Sequence, residues 1–461
     1  MTTILRLRPL FLAGGAHTQL LSARGPVTAN QLRDQALRLA AALQARPEQR
    51  WALWLENTGE FLVSFMALVL AGKTLCLPGN MQPATASALS RHFDALISRT
   101  DFQDLACPAV TPEQLHAAAA ELPASDGQSQ GDIQLMLFTS GSTGEPKAIG
   151  KTLDLLEREL HVLQQFAGQQ LGQQPVLSTV SHQHIYGLLH LVLWPLLRRA
   201  PLVDGVFQYP EEMLASAIQW APVTLLSSPT HLKRLPENPQ FSQHHGAITQ
   251  VISSGGLLEA EAARDFQQLT GYAPLEILGS TETGGVAWRR QDQSLLWQPL
   301  PSVVCSVDAE SGCLAVHSAH LGQSEAFVMG DRIALQDDGR FELLGRADRL
   351  LKVEGKRVSA SEMENRLAAH DWVAAAIVIL LQGRREEIAA AVVLNQAGRD
   401  ALAKSGKLAV NQTLRDHLLL AFERPVLPRR WRYPAALPAN AQGKVVMADI
   451  HSLFAAEDSA P

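Results

Sequence analysis

The sequence predicts an α/β fold: a large layered N-terminal domain with mostly parallel sheets, followed by a small α+β C-terminal domain. Three observations carry this expectation. Short apolar runs alternate with amphipathic helical segments along most of the chain, the pattern of βα units. The small polar clusters (the glycine loop at 140–144, Ser181 to Gly187, Ser253 to Gly256, Gly279 to Gly284) each follow such a run, where open α/β sheets place their ligands. Near residue 345 the character changes, because FELLGRADRLLKVEGKRVSASEMENRL is charged and precedes a segment that reads as a hairpin. The expected division is 1–347 and 348–461.

The elements follow in order. Arg6 and Arg8 before LFLAGGA weakly mimic a leader, but the apolar run is short and contains Pro9, so it reads as an N-terminal strand or loop. TANQLRDQALRLAAALQ has helical apolar spacing, with Thr28 as its cap. WALWLE is a short strand, and FLVSFMALVLAG a buried helix ending at Gly72. IQLMLFTS, Ile133 to Ser140, is an apolar strand that runs into the glycine loop, after which KTLDLLERELHVLQQF reads as an amphipathic helix. PVLSTV, VTLLSS and QVISSGG are further strands, separated by helical segments such as EEMLASAIQW. VAAAIVILLQGRREEIAAAVVL reads as two apolar strands around a charged turn.

Composition narrows the class. A chain of 461 residues exceeds one ordinary core. With 46% hydrophobic and 18% charged residues it is a folded protein, not a disordered one. A net charge of -6 gives no basis for a nucleic-acid partner. Cys76, Cys107, Cys305 and Cys313 lack metal-ligand spacing and read as reduced thiols in a cytoplasm. Phe61 to Ala71 and Trp372 to Leu381 fall short of the roughly 20 apolar residues of a membrane span.

SGSTGEPKAIGKT poses a choice between two phosphate loops. Its ending, Gly150-Lys151-Thr152, imitates a Walker loop, which needs Gly, four residues, then Gly-Lys-Ser/Thr. Counting back from Gly150 places Glu145 where that glycine must stand, and Gly144 lies one residue too far. The backbone amides of such a nest must converge on one anion, so the register disfavours a P-loop ATPase. Lys151 is then expected on a helix surface, with no role. In the first half, hydroxyls from Thr139, Ser140, Ser142 and Thr143, tight turns at Gly141 and Gly144, and the Lys147 charge suit phosphate binding. Taken alone, that loop is equally a Gly/Ser/Thr turn with a solvated lysine.

The ordered set of segments FTSGSTGEPK, SHQHIYG, SSGG, LGSTETGG, MGD, LLGRADRLLKVEGKRVSASEME and ANAQGK resembles the adenylate-forming superfamily: acyl- and aryl-CoA synthetases, peptide-synthetase adenylation domains and luciferases. The resemblance runs from Gln31 to Met447 and is nearest in motif to the aryl- and acyl-CoA ligases. It implies that ATP and Mg²⁺ activate a small aryl or fatty carboxylic acid to an acyl-adenylate. A thiol, of CoA or of a carrier-protein phosphopantetheine, then takes the acyl group. The rivals are a stand-alone ligase of an acyl carrier protein and a nucleotide-binding protein that has lost its chemistry.

The resemblance also implies roles. Thr139, Ser140, Gly141, Ser142, Thr143, Gly144 and Lys147 would hold the β- and γ-phosphates. Gly255, Gly256, Gly279 and Ser280 would border the nucleotide. Thr281 would touch the α-phosphate, and Glu282, with Thr143, would hold Mg²⁺. Asp331 would accept both ribose hydroxyls, and Arg346 would lie over ribose and phosphate. Lys444 would bridge the substrate carboxylate and the α-phosphate, then leave as a mobile small domain turns about the hinge residue Asp348. His184 would gate the acyl and thiol channels, the lesser alternative being that His182, His184 and His190 are packing residues. Phe207, Ser228, Gly255, Gly256 and Leu278 are candidates for the acyl pocket. The sequence departs from the family where Leu278 replaces a frequent aromatic and Met329 a frequent threonine. The segment from Ser178 to Trp194 holds no acid to pair with a substrate amine.

Overall fold

The computed structural model describes the chain except residues 1–3, 5, 82, 103–104, 128–130, 141–145, 168–172, 354–355, 382–385, 440–444 and 456–461. It divides into two compact units, Met1–Cys305 with Val316–Phe327, and Ser306–Ala315 with Val328–Pro461. Among the described residues, no helix is long and apolar enough to cross a membrane.

The first unit is built on two sheets. One has six strands in the order Ala109–Val110, Ala95–Ser98, Arg50–Trp54, Thr74–Leu77, Gln134–Ser140 and Pro146–Thr152. All neighbours are parallel except the last pair. The other has nine strands, with a parallel centre formed by Leu275–Ser280, Ile248–Ser253, Val223–Ser227, Val176–Ser178, Leu202–Val206 and Thr18–Ser22, and antiparallel strands at each end. The expected α/β layering is therefore present. Helix Ala29–Gln44 starts at a reciprocal capping box, in which Gln31 N–H donates to Thr28 Oγ1 and Thr28 N–H to Gln31 Oε1. Helix Thr58–Ala71 is apolar nearly all round because it is buried nearly all round. It ends at Gly72, whose φ of 74° suits a left-handed cap. Its side chains carry much of the stability, and Phe65→Ala would cost about 3–5 kcal/mol.

Two local expectations are corrected. Leu7–Ala13 is a helix, not a strand or loop. Pro9 is compatible with it because the first helical turn has no intrahelical use for its N–H groups. The segment after the glycine loop is not at once helical: Pro146–Thr152 is a strand, antiparallel to Gln134–Ser140 with Lys147 opposite Thr139 and Lys151 opposite Leu135. The amphipathic helix begins only at Leu153.

The second unit holds most of the sheet Val304–Val307, Cys313–His317, Phe327–Leu335 and Phe341–Arg346, whose first three strands each include residues assigned to the first unit. It also holds a two-stranded ribbon, Leu350–Val353 with Lys356–Ser359. Its largest core lies on a three-stranded sheet, where the expected hairpin Val373–Leu381/Glu387–Leu394 is joined by Arg430–Arg432. Val378, Ala390 and Val392 face helices Ala360–Ala368 and Gln396–Leu418 on one side. Ile379, Ala389 and Ala391 face Ile450 and Phe454 on the other. Cover on both faces explains why these strands are apolar throughout rather than alternating.

Candidate functional site

The turn Thr281–Thr283 joins the antiparallel strands Leu275–Ser280 and Gly284–Arg290. Ser280 and Thr283 cross-link it: Ser280 N–H donates to Thr283 Oγ1 and Thr283 N–H to Ser280 Oγ, both at 3.1 Å. Gly279 and Gly284 face each other so closely that a Cβ on Gly279 would lie 2.2 Å from the Gly284 carbonyl oxygen. Lower in the hairpin, buried Glu276 receives both Arg289 Nε and Nη2 at 2.9 Å, which fixes the register.

Glu282 stands on this turn and meets the strand that follows the glycine loop. Lys147 Nζ lies 3.2 Å from Glu282 Oε1. Burial pushes the Glu282 carboxyl up, but bonds from its own backbone amide and from Lys147 outweigh this and hold it below the usual range. Lys151, on the same strand, reaches the same residue, donating 2.7 Å from Nζ to the Glu282 carbonyl oxygen. The expectation of a surface lysine is overturned, since Lys151 is 4% exposed. Burial lowers its ammonium pKa, and attraction to Glu159 and Glu282 opposes that. Glu159, on helix Leu153–Ala167, accepts from Gly285 N–H at 2.6 Å.

Other expected residues gather at the carboxyl ends of the parallel strands. Ser254 Oγ donates to the Ile277 carbonyl at 2.8 Å, which ties the exposed Gly255–Gly256 bend to the strand before Gly279. Ser228 bonds His231 at 3.1 Å, and Phe207 packs on a neighbouring core. His184 is half-buried and sits against the Gly79 backbone, where a Cβ would meet its Cε1 at 3.1 Å. Its two neighbours are packing residues. His182 is buried against Phe61 and bonds the Leu55 carbonyl, and His190 bonds the Tyr186 carbonyl. Burial lowers the pKa of each to about 4, so both are neutral. The Tyr186 hydroxyl donates to the Ser227 and Ile252 carbonyls and pins this segment to two strand ends.

In the second unit, Asp331 and Arg346 are direct partners across an antiparallel strand pair, with Arg346 Nη1 3.9 Å from Asp331 Oδ2. Met329, in the same strand, is buried. Asp348 lies in the short helical turn Ala347–Arg349, and its side chain is outside the described residues. So are Gly141, Ser142, Thr143 and Gly144, the side chains of Thr139 and Ser140, and Lys444. Ala439 and Val445, on either side of Lys444, pair in an antiparallel bridge.

The donor chemistry suits a hard cation. Glu282 offers a partly exposed carboxylate held in its charged form, and Mg²⁺ takes one or two carboxylates together with phosphate oxygens. Among the described residues, no three His, Cys, Asp or Glu side chains cluster as a metal cage of their own.

A glycine-loop strand facing an acidic turn, at the ends of parallel strands, defines a nucleotide-handling class of α/β protein. The AMP-binding enzyme family matches residues 15–313, and the chain belongs to that family. A 4-coumarate–CoA ligase of Cereibacter sphaeroides is 29% identical over 319 residues, covering 67% of this chain and 69% of that protein. The phenyloxazoline synthase MbtB of Mycobacterium tuberculosis is 26% identical over 95% of this chain, which spans only 34% of that longer protein. In fold, the chain is similar to ATP-bound MatB from Rhodopseudomonas palustris, with a TM-score of 0.82, 21% identity, and coverage of 97% and 98% of the two chains. The likeness in fold also holds for a benzoate CoA ligase from Burkholderia xenovorans, with a TM-score of 0.80, 20% identity, and coverage of 97% and 99% of the two chains.

Proposed function

We propose that this chain uses ATP to activate an aryl or fatty carboxylic acid as an acyl-adenylate and then transfers the acyl group to a thiol. The observation that carries this reading is the meeting of Lys147 and Glu282, distant in sequence, at 3.2 Å. In the proposed reaction the substrate carboxylate attacks the α-phosphorus and pyrophosphate leaves with the bond pair. Lys147 and the glycine-loop hydroxyls hold the departing phosphates, and Thr281 contacts the α-phosphate. Glu282, with Thr143, would hold Mg²⁺, which when bound offsets charge on the phosphate oxygens. Lys444 would orient the two reacting groups, while Asp331 holds the ribose and Arg346 covers ribose and phosphate. Positioning and charge supply most of the catalysis in such a reaction. The small domain would then turn at Asp348 and withdraw Lys444, so that the thiol can attack past His184 and release AMP.

The acid is expected to lack a free amine. His182 and His190 are neutral and the segment from Ser178 to Trp194 holds no carboxylate, so an α-ammonium would be desolvated without a partner. The acceptor is CoA or a carrier-protein phosphopantetheine, and the similarity to a segment of a phenyloxazoline synthase supports testing the carrier. Four free cysteines fit a reducing cytoplasm. The test is acid-dependent pyrophosphate release across aryl, fatty and amino acids, followed by acyl transfer to CoA and to a phosphopantetheinylated carrier. Release only with amino acids would overturn the substrate class, and no release with any acid would overturn the activity.

A further inference from the structure

Two buried charges flank the turn that carries Glu282, and neither belongs to the motifs that define the family resemblance. Lys151 Nζ donates to the Glu282 carbonyl at 2.7 Å, and Glu159 Oε1 accepts from Gly285 N–H at 2.6 Å. Both side chains are almost fully buried, at 4% and 2% exposed. Burying a charge is costly, and apolar residues of similar size would pack a hairpin at less expense. The bonds they make are nevertheless specific: one grips the turn at its central residue, the other just past its end. Gly284 shows how tightly the second is fitted, since its φ is +67° and a Cβ there would lie 2.3 Å from Glu159 Oε2.

The strand geometry links this grip to the phosphate side. Alternate residues of a strand point to the same face, so Lys147 and Lys151 project together from Pro146–Thr152. One rigid strand therefore holds Glu282 twice, by its carboxylate through Lys147 and by its main chain through Lys151. We infer that Lys151 and Glu159 are positioning residues that clamp the Thr281–Thr283 turn and so fix the Glu282 carboxylate opposite Lys147 before nucleotide binds. The inference rests on the proposed role of Glu282 toward Mg²⁺ and ATP. Loss of the clamp therefore shows in the response to the metal and the nucleotide, not in the handling of the acid.

The test compares the full-length protein with Lys151→Met, Lys151→Arg and Glu159→Gln. Hydrogen–deuterium exchange reports the hairpin, calorimetry reports Mg·ATP binding, and pyrophosphate release is followed against Mg²⁺ and against acid. Lys151→Met is expected to speed exchange at the turn while the rest of the sheet stays protected. It should weaken Mg·ATP binding and raise the Mg²⁺ requirement by about tenfold or more, the size of one lost charge-assisted hydrogen bond. The acid KM should stay near its wild-type value, and Lys151→Arg should recover most of the loss. Unchanged exchange with unchanged Mg·ATP binding would overturn the inference, as would a loss that falls on the acid KM or an arginine variant no better than methionine. Should Lys151→Met fail to fold, the nearly isosteric Glu159→Gln carries the same expectations. If the wild type neither binds nucleotide nor releases pyrophosphate, the proposed function fails, and exchange in the variants still decides whether the two residues hold the turn.

Discussion

The turn around Glu282 and the strand pair bearing Asp331 and Arg346 hold their charges in opposite ways. In the first unit the protein satisfies them itself, through Lys147, buried Lys151 and buried Glu159. In the second, Arg346 is 53% exposed and its contact with Asp331 is a loose 3.9 Å. Asp331 is 18% exposed, but an ion pair at that distance contributes little to stability. The contrast separates two tasks. Groups fixed in advance set a geometry, whereas a loosely spaced pair can rearrange around a ligand. Substitutions in the first region should therefore alter the turn and, through it, the response to Mg·ATP, and those in the second the chemistry alone.

The largest expected effect probes chemistry without preorganisation. Lys444→Ala should slow adenylate formation by about three orders of magnitude, the scale of losing a group that stabilises developing charge. Thioester formation from supplied acyl-adenylate should be largely spared, as single-turnover assays of each half-reaction would reveal. An equal loss in both halves would remove Lys444 from its proposed place. The next effect contrasts two glycines. Gly284→Ala should destabilise the first unit by about 3 kcal/mol, because it combines a positive φ with a collision on a buried carboxylate. Gly330→Ala should cost less than about 1 kcal/mol, because its Cβ meets only the movable end of Arg346. Urea midpoints measure both, and similar values would erase the distinction.

Acid should affect the first unit next. Burial lowers the pKa of His182 and His190 from 6.5 to about 4, so between those values the unfolded chain binds more protons than the folded one. Their contribution is complete above pH 6.5 and is lost as pH falls toward 4, by about 3 kcal/mol for each histidine. Urea midpoints at neutral and acid pH should fall accordingly, and His190→Leu should flatten the decline. A variant with the wild-type slope would mean that other groups govern acid unfolding. The smallest effect belongs to the loosely spaced pair of Asp331 and Arg346. Asp331→Asn should raise the KM for ATP about tenfold through weakened charge-assisted ribose bonds, with no change in melting temperature. A fall in stability instead would show that the pair is structural.

The sequence made the layered fold legible wherever periodicity was strong. Thr28, the buried run from Phe61 to Leu70 and the hairpin from Val373 each specify an element by local spacing alone. The ordered motifs single out Lys147 and Glu282 separately, and only the fold pairs them. Lys151 was misplaced because a Gly-Lys-Thr sequence before a periodic segment reads as a helix start, and burial of a lysine is decided by partners far along the chain. Glu159 left a usable signal: it lies within the apolar stripe of Leu156, Leu160 and Leu163, where an acid requires a partner. The helix at Leu7 was hidden by Pro9, a residue that stops a helix only beyond its first turn.

The clamp also bears on descent. A lineage that lost Lys151 would leave the Glu282 carbonyl and the Glu159 charge without their counterweight, and one that lost Glu159 would strand an ammonium in the interior. Either step alone loosens the turn, so the two positions should be inherited together and exchanged together. Across relatives, a lysine late in the strand after the glycine loop and an acid inside the next helix should rise and vanish as one character. Such a pair marks a branch of the family by an internal trait, one that selection on substrate leaves untouched.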